Sequence, residues 1–198
     1  MTRQTGSIEP IGRTTSIFKQ LMSLHWMMAA CFLLVYITGA IVARLQTGAV
    51  YSGPKGLLSV FHQSIGVLVM MLLIARILLL IRVVWRKYSR RLPTLTFPWI
   101  LQFTLHAILY GLMLVAPVTG LLIANSYGSQ VPFFGLATVT PIFAKNEAVV
   151  ETARSLHFWF SYLFLACIML HILAHWHIVR RSWRQIQATM PKVWFHHK

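Results

Sequence analysis

The chain has 198 residues, of which 57% are hydrophobic and only 11% carry a charge. Soluble domains average about 45–50% apolar and about 25% charged residues, so this chain has too few charges to cover a water-facing surface. The formal net charge of +15 is typical of nucleic-acid-binding proteins, but its Lys and Arg residues lie between long apolar runs, without a nucleic-acid-binding motif. Composition therefore argues against a soluble domain and a nucleic-acid partner, and predicts a protein embedded in membrane lipid.

Four apolar runs are each long enough to cross a hydrocarbon core of about 30 Å, which takes about 20 helical residues. In chain order they are 24–43, 57–81, 99–123 and 156–179. Arg76 is the one strongly charged side chain in these runs, and it lies near the end of the second, where it can snorkel to the interface. The runs predict an all-α integral membrane four-helix bundle, with residues 1–198 as a single domain.

Lys and Arg residues near the span ends predict the orientation, because cytoplasmic loops carry the excess of positive charge. The first and third connections hold few of them: Arg44, Lys55, Lys145 and Arg154. The N-terminal segment, second connection and C-terminal tail hold many more: Arg3, Arg13, Lys19, Arg82, Arg86, Lys87, Arg90, Arg91, Arg180, Arg181, Arg184, Lys192 and Lys198. Both termini are therefore predicted to be cytoplasmic.

The third connection, residues 124–155, is long and begins with an apolar part that contains Gly135. Its aromatic residues Phe133, Phe134 and Phe143 are unusual for a disordered loop. We therefore expect this connection to fold back over the outer end of the bundle.

The chain has nine histidines, and several lie inside the apolar runs, where ionisable side chains are costly and tend to mark function. His25 begins the first span at the cytoplasmic side, and His62 lies near the outer start of the second. His157 and His171 share one face of the fourth span, about four helical turns or about 21 Å apart. His25 can therefore face His171 at one depth, and His62 can face His157 at the other.

Two imidazoles at each depth fit haem iron better than zinc, although single histidines near span ends are also common as interfacial residues. Zinc takes three or four ligands and usually has acidic or thiolate company, which both depths lack. A bis-histidine haem needs two axial imidazoles and an apolar slot, and bundle cores build such sites from facing helices. Gly66 and Gly111 would let a flat macrocycle approach the backbone, or would serve helix packing. The pairing by depth predicts two haems stacked across the bilayer.

Short motifs along nearly the whole chain resemble the bacterial cytochrome b561 family of small diheme integral membrane cytochromes. Their order and spacing carry the resemblance: Leu24-His25-Trp26, Phe61-His62 with Gly66, Leu105-His106 through Ala116-Pro117 and Gly120, Phe133-Phe134-Gly135-Leu136, Ser155-Leu156-His157, and Leu170-His171. The resemblance implies that His25 and His171 bind the iron of a cytoplasmic-side haem b, and that His62 and His157 bind that of a periplasmic-side haem b. It also implies a multi-pass protein of the bacterial inner membrane.

The resemblance further implies a function in electron transport. Family members exchange electrons with the quinone pool, and one type resembles a superoxide oxidase, which passes the electron from superoxide at the outer surface to ubiquinone. The chain is thus expected to be a haem-dependent oxidoreductase that moves single electrons between a periplasmic-side donor or acceptor and quinone. The alternative is a cytochrome b membrane subunit of a multi-subunit dehydrogenase or reductase, bound to a soluble protein partner.

The end of the fourth span departs from the family pattern. Relatives carry a His-His pair about two turns after the last ligand, associated with quinone binding, whereas Ile178 and Val179 stand at those positions here. His175 and His177 come earlier. One of them substitutes after a one-residue shift, or the helix ends differently, or His175 replaces His171 as the iron ligand.

His106 lies about 10 Å into the third span, by the helical rise of 1.5 Å per residue, at the depth of the inner haem. It matches a histidine that relatives also carry. It either hydrogen-bonds a haem propionate or a quinone carbonyl, or is a core histidine with its own protein partner. His196 and His197 lie in a basic tail and are assigned no role.

Overall fold

A computed structural model describes residues 12–44, 54–88 and 96–178, together with residues 180, 181 and 184. Within these ranges the elements follow in the order α1 (Gly12–Arg44), α2 (Pro54–Tyr88), α3 (Phe97–Ser126), β1 (Val131–Phe133), β2 (Ala137–Val139) and α4 (Glu147–Ala174). Each helix contains an apolar stretch long enough to cross a membrane. The prediction of an all-α membrane bundle is confirmed.

Some of the basic residues that predict the orientation lie outside the described residues, and so does the histidine pair of the tail: Arg3, Arg90, Arg91, Lys192, Lys198, His196 and His197. The orientation across the bilayer therefore stays a prediction from sequence. The end of the bundle that holds His62 and His157 is called the outer level below, and the end that holds His25 and His171 the inner level.

Helix α4 differs most from the apolar run that predicted it. It begins at Glu147, because the Asn146 side chain caps it by accepting a hydrogen bond from the Ala148 backbone N–H at 3.1 Å. It ends at Ala174 instead of residue 179, and His175 leaves the helical conformation with φ −112° and ψ 22°. A hydropathy pattern follows the apolar run and does not register caps, which depend on backbone hydrogen bonds.

The helices pack as two hairpins, α1 with α2 and α3 with α4, and α2 also contacts α3. Phe164 of α4 is only 2% exposed, and its ring meets that of Phe32 on α1 edge-on, with centroids 4.9 Å apart. The Tyr36 hydroxyl of α1 donates to the Ser161 carbonyl oxygen of α4 at 2.8 Å. These contacts join the two hairpins at the middle of the bundle, between the outer and inner levels.

Phe164→Ala should lower the free energy of unfolding by about 3–5 kcal/mol, the range for truncating a buried Phe. The ring would leave a cavity whose lining loses dispersion contacts. Thermal unfolding of the purified protein in detergent measures the effect, with Phe158→Ala as the control because Phe158 is 47% exposed. Equal losses in the two variants would contradict a packed centre at Phe164.

The connection between α3 and α4 folds back onto α2 through a β-hairpin, in which β1 and β2 pair antiparallel. The buried Ser64 side chain of α2 contacts the hairpin through its hydroxyl oxygen. The Ser64 hydroxyl oxygen accepts the Phe134 backbone N–H at 3.0 Å and lies 3.0 Å from the Pro132 carbonyl oxygen. Phe134 has φ +52°, a left-handed conformation that is rare for a bulky residue. The hydrogen bond from its N–H to Ser64 stabilises this conformation and holds the tip of the hairpin against α2.

Candidate functional site

Two histidines meet at the outer level, one from each helix hairpin. The rings of His62 on α2 and His157 on α4 have centroids 6.4 Å apart and lie at 86° to each other. A histidine nitrogen binds a first-row metal such as zinc at about 2 Å, and the ring centre lies about 1 Å further away, so imidazoles on opposite sides of one metal have centres about 6 Å apart. The outer pair therefore has the separation that two axial ligands of one iron need.

His62 is held by α1, the other helix of its hairpin. Its Nδ1 atom lies 3.1 Å from Thr38 Oγ1 and 3.2 Å from the Val35 carbonyl oxygen. A carbonyl oxygen can only accept a hydrogen bond, so Nδ1 carries the ring proton and donates it. The Nε2 atom of His62 then keeps a free lone pair, which is the form that a metal requires.

The same arrangement occurs in the other hairpin, where α3 holds the histidine of α4. His157 Nδ1 lies 3.0 Å from Thr119 Oγ1 and 3.0 Å from the Ala116 carbonyl oxygen. Here too Nδ1 must donate, and Nε2 is left free. Metal-bound histidines almost always have such a partner for their second nitrogen, because it fixes the tautomer and the ring orientation.

A glycine follows each of these threonines, and a side chain there would meet the histidine ring. A Cβ atom at Gly39 would lie 3.0 Å from His62 Cε1, and one at Gly120 would lie 3.4 Å from His157 Cε1. The first distance is too short for an ordinary contact, and the second is at its lower limit. Each Thr-Gly pair thus forms a flat support for one outer ring.

Gly39→Ala should displace the His62 ring and lower the haem content, whereas Gly120→Ala should have a smaller effect, because a Cβ atom has more room there. Haem per chain, measured by absorbance, checks the order of the two variants. A loss in Gly120→Ala larger than that in Gly39→Ala would contradict the support role.

The inner level brings four histidines together. His25 of α1 and His171 of α4 have ring centroids 6.1 Å apart at 69°, again the separation for two ligands of one iron. The His106 ring lies 5.1 Å from that of His171, and the His175 ring lies 4.7 Å from it. Both of these distances are too short to place an iron between the rings. The His106 and His175 rings are themselves 5.9 Å apart, also close to the separation for two ligands of one iron, so distance alone leaves two possible pairs. His25 with His171 is the pair that the family resemblance implies.

Arg76 is half-buried and turned toward the inner level, although its position in the second span predicts snorkelling to the interface. Its Nη1 atom lies 3.0 Å from His25 Nδ1, and its Nε–H donates to the Tyr110 hydroxyl oxygen at 2.8 Å. A guanidinium can only donate, so His25 Nδ1 accepts here. Arg76 is held inside because two acceptors from other helices reach it.

His171 Nδ1 is buried and has no hydrogen-bond partner among the residues that the structure describes. A buried polar atom without a partner is costly and calls for an explanation. The Nδ1 atoms of His25 and His171 therefore lack, among the described residues, the oxygen acceptors that hold the outer rings.

His106 and His175, which also lie at the inner level, have hydrogen-bond partners of their own. His106 Nδ1 lies 2.7 Å from the Gln102 carbonyl oxygen, so it donates and leaves Nε2 as an acceptor. His175 Nδ1 lies 3.2 Å from the His171 carbonyl oxygen, and His177 is exposed beyond the end of α4. Helix α4 ends at Ala174, and a turn at His175 precedes further helical residues at 176–178, so the roles of His175 and His177 stay predictions.

The candidate histidines can be recognised from the sequence alone, but the residues that contact their rings cannot. A Thr-Gly pair inside an apolar span is the one available signal for the supports at 38–39 and 119–120. The same pair also occurs at 5–6 and 47–48, outside the spans, so it identifies a support only once the helix packing is known. The contacts of Arg76 and Tyr110 have no local signature.

The site residues fit a bis-histidine haem at each level. Both ring separations match axial ligation, and the outer Nε2 atoms each keep a lone pair for a metal. In the described part of the chain, no three His, Cys, Asp or Glu side chains are grouped to hold a metal ion. The donor set is thus one of paired imidazoles, which suits haem rather than a metal cage.

Comparison with known proteins agrees with this arrangement. The family model for prokaryotic cytochrome b561 matches residues 19–190. The chain is also similar to "Cytochrome b561 homolog 2" of Escherichia coli (strain K12), at 29% identity over 155 residues, which cover 75% of this chain and 77% of the relative. Because the family match reaches all four helices and both histidine pairs, the chain belongs to the prokaryotic cytochrome b561 family of membrane-spanning b-type cytochromes, which act in electron transfer.

Proposed function

We propose that residues 1–198 act as one domain in a bacterial inner membrane, hold two haems b, and pass single electrons from superoxide at the outer face to ubiquinone at the inner level. The observation that carries this proposal is the presence of two histidine pairs, with ring centroids 6.4 Å and 6.1 Å apart. Their ligands on α4 are about 21 Å apart along the helix, which is most of a hydrocarbon core of about 30 Å.

His62 and His157 would hold the outer haem, and His25 and His171 the inner haem. Haem b supplies a one-electron Fe(III)/Fe(II) couple at each level. With both histidines of a pair bound to it, the iron would have no position left for a substrate, so electrons would enter and leave through the edge of the cofactor. The role of these residues is to fix the iron and its surroundings.

Positive charge at the outer face supports superoxide as the donor, because it raises the encounter rate with an anion. Arg44 and Arg154 are exposed near this end, although Glu151 is exposed there too. Lys145 contributes less, because its ammonium pairs with Glu147 at 2.7 Å. That hydrogen bond also raises the pKa of Lys145. Among the described side chains, the attraction rests mainly on the two arginines.

His106 and His175 support quinone as the acceptor, because they lie beside the inner pair. Two superoxide ions would give up one electron each, two protons would be taken up, and the products would be two O₂ and one ubiquinol. The free Nε2 atom of His106 can accept a hydrogen bond from a hydroxyl of the reduced quinone. His106 is therefore the first candidate for orienting the quinone.

Spectroscopy and haem content test the two-haem proposal directly. The reduced protein should show the sharp absorption band of a b-type cytochrome and contain two haems per chain. A preparation that is folded and supplied with haem but binds none would overturn the proposal.

Quinone reduction under a flux of superoxide tests the donor and the acceptor. We expect one ubiquinol per two superoxide ions, faster than spontaneous dismutation, and a lower rate in the Arg44→Gln/Arg154→Gln variant at low salt. Two haems without any such activity would reject superoxide as the donor. The alternative, a membrane subunit of a larger dehydrogenase or reductase, predicts instead a soluble redox partner that purifies with the chain.

A further inference from the structure

The two histidine pairs differ in what surrounds their Nδ1 atoms. At the outer level, His62 and His157 both donate this N–H to oxygen atoms of a neighbouring helix. At the inner level, His25 Nδ1 faces a guanidinium, and His171 Nδ1 has no partner among the described residues. The Nδ1 atoms of the outer pair thus face oxygen atoms with partial negative charge, whereas Nδ1 of His25 at the inner level faces a positive charge.

The outer threonines are fixed as acceptors. The Thr38 hydroxyl donates to the Leu34 carbonyl oxygen at 2.7 Å, and the Thr119 hydroxyl donates to the Val115 carbonyl oxygen at 2.8 Å. Because the backbone takes each hydroxyl proton, a lone pair of each oxygen remains for the imidazole N–H. Thr38 and Thr119 are also buried, at 5% and 7% exposed, so water does not compete for these contacts.

A hydrogen bond from Nδ1–H makes the imidazole a more basic ligand. A more basic ligand stabilises Fe(III) relative to Fe(II), because Fe(III) has the higher positive charge. Hydrogen bonds around the axial ligands are one of the means by which a protein sets a haem potential. The outer surroundings therefore act to lower the reduction potential.

Arg76 acts in the opposite direction at the inner level. Its guanidinium stays charged, and a nearby positive charge disfavours Fe(III) by Coulomb repulsion. If His25 held an iron through Nε2, its Nδ1 would carry the ring proton and could no longer accept from Arg76. The hydrogen bond from Arg76 Nε–H to the Tyr110 hydroxyl would still keep the guanidinium charge at the inner level.

We propose that Thr38 and Thr119 are positioning residues that lower the reduction potential of the outer haem, and that Arg76 raises the potential of the inner haem. The proposal rests on the two-haem function above and adds the order of the two potentials to it. Transfer of one electron from a haem at the outer level to a haem at the inner level would then be favourable.

Redox titration of the purified holoprotein, followed by absorbance and electron paramagnetic resonance, tests the outer half. Thr38→Val and Thr119→Val keep the side-chain shape but remove one of the two acceptors of each Nδ1–H, leaving the Val35 or Ala116 carbonyl oxygen, and each should raise the lower midpoint potential alone. We expect about a tenfold change in the ratio of reduced to oxidised haem at fixed potential, which is about 59 mV for one electron. Thr38→Ser and Thr119→Ser, which keep the hydroxyl, should restore the original value.

The inner half is tested by removing or keeping the charge at Arg76. Arg76→Met should lower the higher midpoint potential, and Arg76→Lys should retain most of it. A His157→Ala variant, which keeps only the inner haem, identifies the higher midpoint as the inner one.

The outcomes separate failure of this inference from failure of the function. Absence of haem rejects the function. Two haems with unchanged midpoints in all three charge or acceptor variants, or a lower midpoint for the haem that His157→Ala retains, overturns the inference alone. If a Val variant loses the outer haem, its Ser counterpart must keep it, and failure to do so overturns the positioning role.

Discussion

His157→Ala should leave each chain with one haem instead of two. The outer iron would lose one of its two axial ligands, while the inner pair is about four helical turns away along α4 and is separated from it by the packed centre at Phe164. Haem per chain and the reduced spectrum measure the loss. His177→Ala is the matched control, because this exposed histidine lies beyond the end of α4.

His62→Ala should give the same one-haem spectrum, because His62 and His157 are proposed to share one iron. Spectra that differ in the haem that remains would separate the two residues and overturn the pairing by depth. Loss of both haems in a variant that still unfolds cooperatively at an unchanged temperature would do the same. A lowered unfolding temperature together with loss of both haems would instead indicate misfolding, and His157→Gln, which retains a polar side chain of similar size, would then replace the Ala variant.

His171→Ala should remove the inner haem and keep the outer one, whereas His175→Ala should keep both. The two rings lie 4.7 Å apart on neighbouring turns of the chain, so the two variants are closely matched in position. The difference is expected because His171 and His25, 6.1 Å apart, are the pair that the family resemblance implies, whereas His175 and His106, 5.9 Å apart, are the competing pair.

Haem content and electron paramagnetic resonance of the remaining haem provide the measurement. The opposite result, with the inner haem lost in His175→Ala and kept in His171→Ala, would make His175 the ligand. It would also leave His106 as the one proposed quinone-binding histidine. Quinone titration of His175→Ala, which should retain both haems, would show separately whether His175 contributes to that site.

The helices and the depth of the four paired histidines follow from the sequence for a simple reason. Membrane lipid demands apolar runs of a fixed length, and the helical period places His157 and His171 on one face. Both constraints act along a single helix, so they are visible without knowledge of its neighbours. Depth along the spans then pairs His25 with His171 and His62 with His157, and the family resemblance implies the same pairs.

The supports of the histidines could not be predicted in the same way, because they depend on how each helix is rotated against the next. Thr38 contacts a histidine that follows it across the first connection, and Arg76 contacts both His25 and Tyr110 on other helices. Its position near the end of the second apolar run predicts that Arg76 snorkels to the interface, as it would on an isolated helix. Packing supplies two acceptors that an isolated helix does not have.

The packed centre of the bundle has a consequence for protons. Between the two levels, Phe164 packs with Leu109 and Leu112 of α3 and with Phe32 of α1. The Tyr36 hydroxyl beside this cluster donates to the Ser161 carbonyl oxygen, an acceptor that cannot pass a proton on. Electrons that tunnel inward would cross without accompanying protons and would carry net negative charge over the membrane. Against a potential that is negative inside, this costs about 2.3 kcal/mol per 100 mV for each charge, so a difference between the two haem potentials would serve to drive the current inward.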